Sequence, residues 1–281
     1  MSNKLQKTTQ PKIREYVQMP AVQTMLEQTL GDPKRVQGFV TSVITNVTNN
    51  PALRKCEPDS ILSAALLGET LNLPPSPQLS YFYMVPFKDN KASKERGYDV
   101  HNAQFQLGYR GYIQLAMRTG QYKKLVVSEV KDGELLEINP FTETIELSAL
   151  PARERVGAKT IGYYAMFELL NGFTKQLYWS KEEMEAHAEE YSASYKYDRN
   201  NSSFWSKDFD AMAKKTMLRQ LISKWGIMST ELKIAFESDM GVIKGDGTVE
   251  YVDNPYEQGF GADIYVEEQE PEVEKIDFES L

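Results

Sequence analysis

Val36, Phe39, Val40, Val43, Ile44 and Val47 recur at the spacing of one helix face, and Asp32 followed by Pro33 supplies an N-cap and a first-turn proline. An amphipathic helix from about residue 33 is predicted. A second helix should open at Pro58 or Asp59, run through Ile61, Leu62, Ala65 and Leu66, and close before Leu73, where Pro74 and Pro75 block further turns. Tyr81–Phe87 and His101–Leu107 read as strands. Between them Lys88–Asp99 carries Lys88, Lys91, Lys94 and Arg96 and reads as an exposed basic hairpin arm. Lys159–Leu170 and Phe173–Trp179 read as strands around Asn171-Gly172, the dipeptide that supplies both positive φ angles of a type I′ turn. Ser180 and Glu183 have capping-box spacing and open a helix to about Glu190. Trp205–Trp225 holds neither Pro nor Gly and stops at Gly226, so one long helix is predicted there. Helices, then strands, then helices define an α+β fold without an internal repeat.

Past about Phe236 the hydrophobics Tyr251, Tyr256, Phe260, Ile264, Ile276 and Phe278 stand without a period in acidic sequence. Residues 237–281 are therefore expected to be a flexible acidic tail, 33–236 a folded core and 1–32 an N-terminal extension. Charge sharpens this division. The whole chain carries −8, which alone argues against a polyanionic partner. Residues 241–281, however, hold two lysines and twelve acids, leaving 30 basic and 28 acidic groups in the first 240. A slightly positive body with local basic stripes is compatible with nucleic acid. The tail reads equally as a solvating segment or as short docking peptides.

The most basic stretch is Gln104–Lys124, with Arg110, Arg118, Lys123 and Lys124 and no acid. A helix starting near Tyr109 puts Tyr109, Tyr112, Ile113, Ala116 and Met117 on an apolar face and aligns Arg110, Gln114 and Arg118 beside it. Gly108 and Gly111 would let the strand-to-helix turn approach a phosphate closely; they equally suit a plain turn beside a solvated stripe. The long helix adds Lys207, Lys214, Lys215, Arg219 and Lys224, with Lys215 and Arg219 on one stripe, although Asp210 and Lys214 are spaced to pair with each other. Tyr109, Tyr112, Tyr122, Tyr195, Tyr197 and Trp205 interleave with these cations and with Lys196. Basic groups among aromatics suit single strands, where cations meet phosphates and rings stack on bases. The competing reading packs most of these rings internally.

Other chemistries find less support. No phosphate-binding loop GxxxxGK[ST], no GxGxxG, no HExxH and no GxSxG occurs. One cysteine, Cys56, excludes an internal disulfide, and with only His101 and His187 a Cys/His zinc site is not expected. Asp99, Glu168, Asp208 and Asp210 are available to a metal nuclease, as similar sets are in any acid-rich chain. No apolar run approaches the roughly 18 residues of a membrane span, and the polar start lacks a secretory signal, so an intracellular protein is expected.

NLPPSPQLSYFYMVPF from Asn72, FQLGYRGYIQLAMRTGQY from Phe105, IGYYAMFELLNGFTKQLYWSKEEMEAHA from Ile161 and FWSKDFDAMAKKTMLRQLISKWG from Phe204 closely resemble the RecT family of phage and prophage single-strand annealing proteins. The resemblance covers roughly Val36–Ser229. It implies an ATP-independent recombinase without a covalent catalytic site. Such a protein coats single-stranded DNA, pairs it with a complementary strand and holds the annealed duplex in an oligomer. The implied fold is a small antiparallel sheet packed with helices, assembled into rings or helical filaments. Carried onto this sequence, the groove residues are Gln106, Tyr109, Arg110, Tyr112 and Arg118, with Lys214, Lys215 and Arg219 from the long helix. The implied partners are a companion exonuclease and the host single-strand binding protein, met through the C-terminal region in the bacterial cytoplasm. No cofactor is implied, and a need for Mg²⁺ is left open. A passive single-strand binder and a metal-dependent nuclease remain as alternatives.

Overall fold

A computed structural model describes residues 12–239 apart from Asn200 and Ser202, together with the backbone of Val242–Ile243 and Val249–Glu250. In chain order it contains α1 (Ile13–Tyr16), α2 (Pro20–Leu30), α3 (Pro33–Asn49), α4 (Pro58–Thr70), β1 (Phe82–Asp89), α5 (Asn90–Arg96), β2 (Val100–Leu107), α6 (Tyr109–Arg118), β3 (Tyr122–Lys131), β4 (Leu135–Asn139) and β5 (Thr144–Leu147). There follow α7 (Ala152–Gly157), β6 (Thr160–Leu169), β7 (Thr174–Ser180), α8 (Lys181–Tyr191), α9 (Ala193–Lys196), α10 (Phe204–Lys207), α11 (Phe209–Trp225), α12 (Thr230–Ser238) and the short pair β8 (Val242–Ile243) and β9 (Val249–Glu250). The fold is α+β, with small antiparallel sheets packed against helices.

Two sheets organise the core. β1 and β2 form an antiparallel hairpin running from Phe82 opposite Leu107 to Asp89 opposite Val100. α4 packs against it. β3, β6 and β7 form a three-stranded antiparallel sheet with β6 central, and α11 lies across all three strands. One continuous cluster joins the helices to both sheets, including Phe39, Val43, Ile61, Leu62, Phe105, Tyr112, Tyr163, Phe167, Leu218 and Leu221. α3 follows the predicted stripe, burying Val36, Phe39, Val43 and Val47, while the Asp32 carboxylate accepts from Lys34 N at 3.0 Å as N-cap. In α8 the capping box forms as read, Ser180 Oγ accepting from Glu183 N and Glu183 accepting from Ser180 N.

The local structure departs from the sequence reading at five places. The basic arm contains a helix, α5, capped by Asp89, whose carboxylate accepts from Ala92 N. At Asn171-Gly172 only the glycine takes a positive φ, of 86°. Gly172 N donates to Leu169 O and the Asn171 side chain accepts from Phe173 N, so a three-residue loop replaces the type I′ turn. The long helix is broken at Asp208, which leaves helical geometry at φ −149° and caps α11 through Ala211 N. Residues 12–32, expected as an extension, bury Val17 and Leu26 completely in the common core. At the other end α12 runs to Ser238, and Asp239 is buried although its neighbourhood reads as tail. Tyr251, Tyr256, Phe260, Ile264, Ile276 and Phe278 lie outside the described residues. Among the described residues no helix is long and apolar enough to cross a membrane.

Candidate nucleic-acid interface

Gly108 and Gly111, at the turn from β2 into α6, serve the protein's own packing. A Cβ on Gly108 would lie 2.5 Å from Ser80 O, and one on Gly111 would lie 2.2 Å from Tyr81 O. Gly108 N also donates to Tyr81 O at 2.8 Å. The space that the sequence reading gave to a phosphate at these glycines is taken by the Ser80–Tyr81 backbone, which pins the start of α6 onto the entry to β1.

That pinning places several groups on one exposed surface. Tyr83 stands opposite Gln106 in the β1–β2 register, is 43% exposed, and borders the start of α6 with its ring edge against Gly108. Phe204 of α10 is 41% exposed, with its centroid 6.4 Å from that of Tyr83. Lys207, one turn on, holds its ammonium 6.0 Å from the Phe204 ring. At the first turn of α6, Arg110 lies 5.9 Å over its neighbour Tyr109 and donates from Nε to the Tyr109 hydroxyl at 3.4 Å. Lys214 reaches the same ring from α11, at 5.4 Å. Arg110 and Lys207 make no ion pair with a carboxylate among the described residues. Cations alternating with half-exposed rings can neutralise phosphates and stack bases with little regard to sequence.

Tyr83 and Phe204 were absent from the sequence-derived set. Tyr83 falls on the exposed side of the alternating β1 pattern, buried at Phe82 and Met84 and open at Tyr83, which is the signal that could have found it. Phe204 carried no such signal, because it faces Tyr83 only after the chain breaks at Asp208.

The structure separates the thirteen predicted residues into groups. Gln106, Tyr109, Arg110, Lys207 and Lys214 meet at the face just described. Lys214 also pairs with Glu129 at 3.0 Å, where Lys131 joins it. Burial opposes ionisation of Glu129, yet the hydrogen bonds from Lys131 and Lys214 outweigh it and hold this carboxyl below the ordinary range. The expected Asp210–Lys214 pair does not form; Asp210 accepts from the Tyr163 hydroxyl at 2.6 Å. Lys124, Lys196 and Lys224 are exposed at other points of the surface, Lys196 beside Tyr197. Lys123 pairs with Glu168, and Arg118 donates to Leu71 O and Asn72 O, both at 2.9 Å, tying α6 to the end of α4.

Tyr112, Lys215 and Arg219 serve a different purpose. All three turn toward Asp239, whose side chain is 1% exposed. Lys215 Nζ lies 2.9 Å from Asp239 Oδ1, and Arg219 Nη1 lies 3.2 Å from Oδ2. The Tyr112 hydroxyl donates to Oδ2 at 2.9 Å, and Leu107 N donates to Oδ1 at 2.9 Å. Tyr112 is fully buried and its hydroxyl is pushed far up by desolvation and by the Asp239 charge. Desolvation pulls the Lys215 ammonium down, and Asp239 works against that shift. In this arrangement Tyr112 and Lys215 present nothing to a passing strand. Arg219 is partly open, at 28%, and also lies 5.2 Å over Phe236. Of the other rings, Trp205 and Tyr122 are buried, Trp205 against Phe209 and Tyr122 with its hydroxyl on Ile227 O.

The carboxylates considered for a metal are dispersed among other duties: Asp99 pairs with Lys88, Glu168 with Lys123, and Asp208 caps α11. Among the described residues no group of three or more His, Cys, Asp or Glu could hold a metal ion.

Alternating cations and half-exposed rings beside a pinned strand-to-helix turn are the kind of surface that can hold an extended polyanion. A model of the RecT family matches residues 37–253, and the chain belongs to that family. It is 40% identical over 235 residues to YqaK, an uncharacterised protein of Bacillus subtilis strain 168, covering 83% of this chain and 72% of that one. It is 27% identical over 226 residues to protein RecT of Escherichia coli K12, covering 80% and 78% respectively. Membership supports a role in single-strand annealing and recombination.

Proposed function

We propose that this chain binds single-stranded DNA without sequence preference, pairs it with a complementary strand without ATP, and retains the annealed duplex in an oligomer. The observation that carries the reading is the exposed cation–aromatic face of Tyr83, Phe204, Tyr109, Arg110 and Lys207 on a member of the RecT family. Arg110 and Lys207 neutralise phosphates of the first strand, Tyr83 and Phe204 stack on bases or sugars, and Gln106, opposite Tyr83 in the β1–β2 register, lies beside them. Neutralisation lowers the repulsion between two strands, and base pairing supplies the selectivity, so no covalent bond in the DNA is made or broken. The working unit is residues 12–239, acting in the bacterial cytoplasm. The acidic residues beyond it meet a companion exonuclease or the host single-strand binding protein.

The test adds two complementary oligonucleotides in sequence, without ATP, and follows the fluorescence of the paired product. Wild type should form a stable complex only with the complementary pair, and Arg110→Ala and Lys207→Ala should lose it while remaining folded. Binding of single strands with no effect of complementarity would identify a passive binder and defeat the proposal. Deleting residues 241–281 should leave annealing intact and abolish exonuclease capture. Tighter DNA binding by the same deletion would instead mark the tail as a competitor for the basic face.

A further inference from the structure

β4 and β5 form a two-stranded hairpin that no third strand covers. Its anchorage is slight: Glu143 pairs with Lys175, and Ile145 N donates to Gln176 Oε1 at 3.0 Å, which leans β5 against β7. Leu135 and Asn139 are half-buried, and most of the remainder faces solvent. Phe141 at the tip is 96% exposed, Leu136 63% and Ile138 45%. A two-stranded ribbon with this much apolar surface is marginal alone.

The same hairpin carries an electrostatic fault. In its register Glu137 stands directly opposite Glu146, and neither carboxylate makes an ion pair among the described residues. Like charges opposed across two strands repel. From Leu135 to Leu150 the chain holds three acids and no base. The hairpin therefore suits a cationic partner that also offers apolar contact.

The β1–β2 arm has the complementary character. Of its cations, Lys88 pairs with Asp99 and Arg96 with Glu57, whereas Lys91 and Lys94 of α5 are exposed and make no ion pair among the described residues. Lys91 and Lys94 are spaced i, i+3, so their Cβ atoms are about 5–6 Å apart. Residues directly opposed across two antiparallel strands stand about 4.5–5.5 Å apart. The two spacings match, so two acid–base pairs can form at once. Tyr98, 44% exposed at the end of the arm, supplies a ring for the hairpin's apolar side chains.

We propose that the β4–β5 hairpin of one copy of this chain docks on the α5 arm of the next, Glu137 and Glu146 meeting Lys91 and Lys94. Two hairpins cannot pair with each other, because acid would face acid. The contact is thus head-to-tail, and a head-to-tail contact closes into a ring or continues as a filament. This deepens the annealing proposal by naming the surface through which copies line up along a strand, and it rests on that proposal for the oligomer.

Charge exchange tests it in the full chain. Glu137→Lys with Glu146→Lys, and Lys91→Glu with Lys94→Glu, alter only exposed side chains, and circular dichroism should be unchanged. On an oligonucleotide too short for two copies, both variants should bind like wild type. On a long strand each should self-associate roughly tenfold more weakly or worse, read as complex mass by light scattering. An equimolar mixture should restore the mass, because intact hairpin then meets intact arm and reversed hairpin meets reversed arm. Normal assembly by either variant, or a mixture that stays small, overturns the interface. Loss of short-oligonucleotide binding by the arm variant also overturns it and makes the arm a DNA contact. Wild type that assembles without annealing defeats the proposed function and leaves this interface standing.

Discussion

Asp239→Ala should be among the most damaging single substitutions in the chain, although the residue lies at the very start of sequence that reads as tail. The carboxylate accepts from Lys215, Arg219, Tyr112 and the Leu107 amide, and it is almost wholly withdrawn from water. Removing it leaves two cations facing each other with a buried hydroxyl and a buried N–H that have lost this acceptor. Breaking one side of a buried ion pair costs about 3–5 kcal/mol. At about 2–4 °C per kcal/mol for a chain of this size, the melting midpoint should fall by roughly 6–20 °C. Lys215→Met removes the other side but leaves Asp239 its arginine, tyrosine and amide, so its cost should stay under about 2 kcal/mol. Urea unfolding followed by far-ultraviolet circular dichroism measures both. The order of the two variants is the decisive point: if Lys215→Met is the more damaging, the carboxylate is not the hub of the cluster. The same reasoning separates two truncations. Deleting 237–281 removes Asp239 and should unfold the protein, whereas deleting 241–281 keeps the hub and should leave the melting midpoint within a few degrees.

Gly111→Ala forces a methyl to within 2.2 Å of Tyr81 O, a backbone atom that cannot swing away, and should cost about 1–3 kcal/mol in the same unfolding assay. Tyr83→Ala and Phe204→Ala should each weaken single-strand binding by about 1–3 kcal/mol, measured by fluorescence anisotropy, with no change in melting midpoint. Arg110→Ala should flatten the slope of log affinity against log salt by about 0.7, the value for one phosphate contact on a single strand. His187, packed against Trp179 and Tyr191, is pulled down by desolvation from 6.5 to about 4. The folded state therefore holds fewer protons than the unfolded chain between those values, so stability is full above pH 6.5 and declines as pH falls toward 4. Allowing for partial solvent screening, the loss is roughly 2 kcal/mol, and His187→Phe should remove that part of the acid sensitivity.

The elements most legible in the sequence were those specified by local chemistry. Asp32-Pro33 starts α3, Ser180 and Glu183 start α8, and the stripe from Val36 to Val47 sets which face of α3 is buried. Where a competing cap or a distant partner decides, the hydrophobic pattern misleads. Trp205–Trp225 contains only helix-compatible residues, yet the Asp208 side chain competes for the α11 amides and divides the segment. α2 was illegible because Leu26 and Leu30 are sparse among polar neighbours; their burial depends on α3, which packs on them from later in the chain. The glycines at 108 and 111 read as room for a phosphate or as a plain turn, and neither reading reveals that the backbone of Ser80–Tyr81 takes up that space.

For the candidate interface the limit was of another kind. A sequence counts cations without showing which carboxylate each one meets. Lys215 and Arg219 do share a stripe at i, i+4, as read, but the stripe turns inward because Asp239 closes over it. Lys123 and Lys214 meet Glu168 and Glu129 across strands remote in sequence, contacts that helical spacing cannot anticipate. What these pairings leave for a polyanion is set by subtraction. Arg110 and Lys207 remain without carboxylate partners among the described residues and sit beside rings, whereas Lys214 on the same face is matched by Glu129, so the two unmatched cations are what this face has left to offer a polyanion. A chain carrying −8 overall can on this account hold DNA, provided its acids are occupied elsewhere or lie in the tail. Placing one carboxylate at Gln106, opposite Tyr83, should then weaken strand binding as severely as removing Arg110. An unaffected Gln106→Glu variant would show that the field around this face is not what holds the strand.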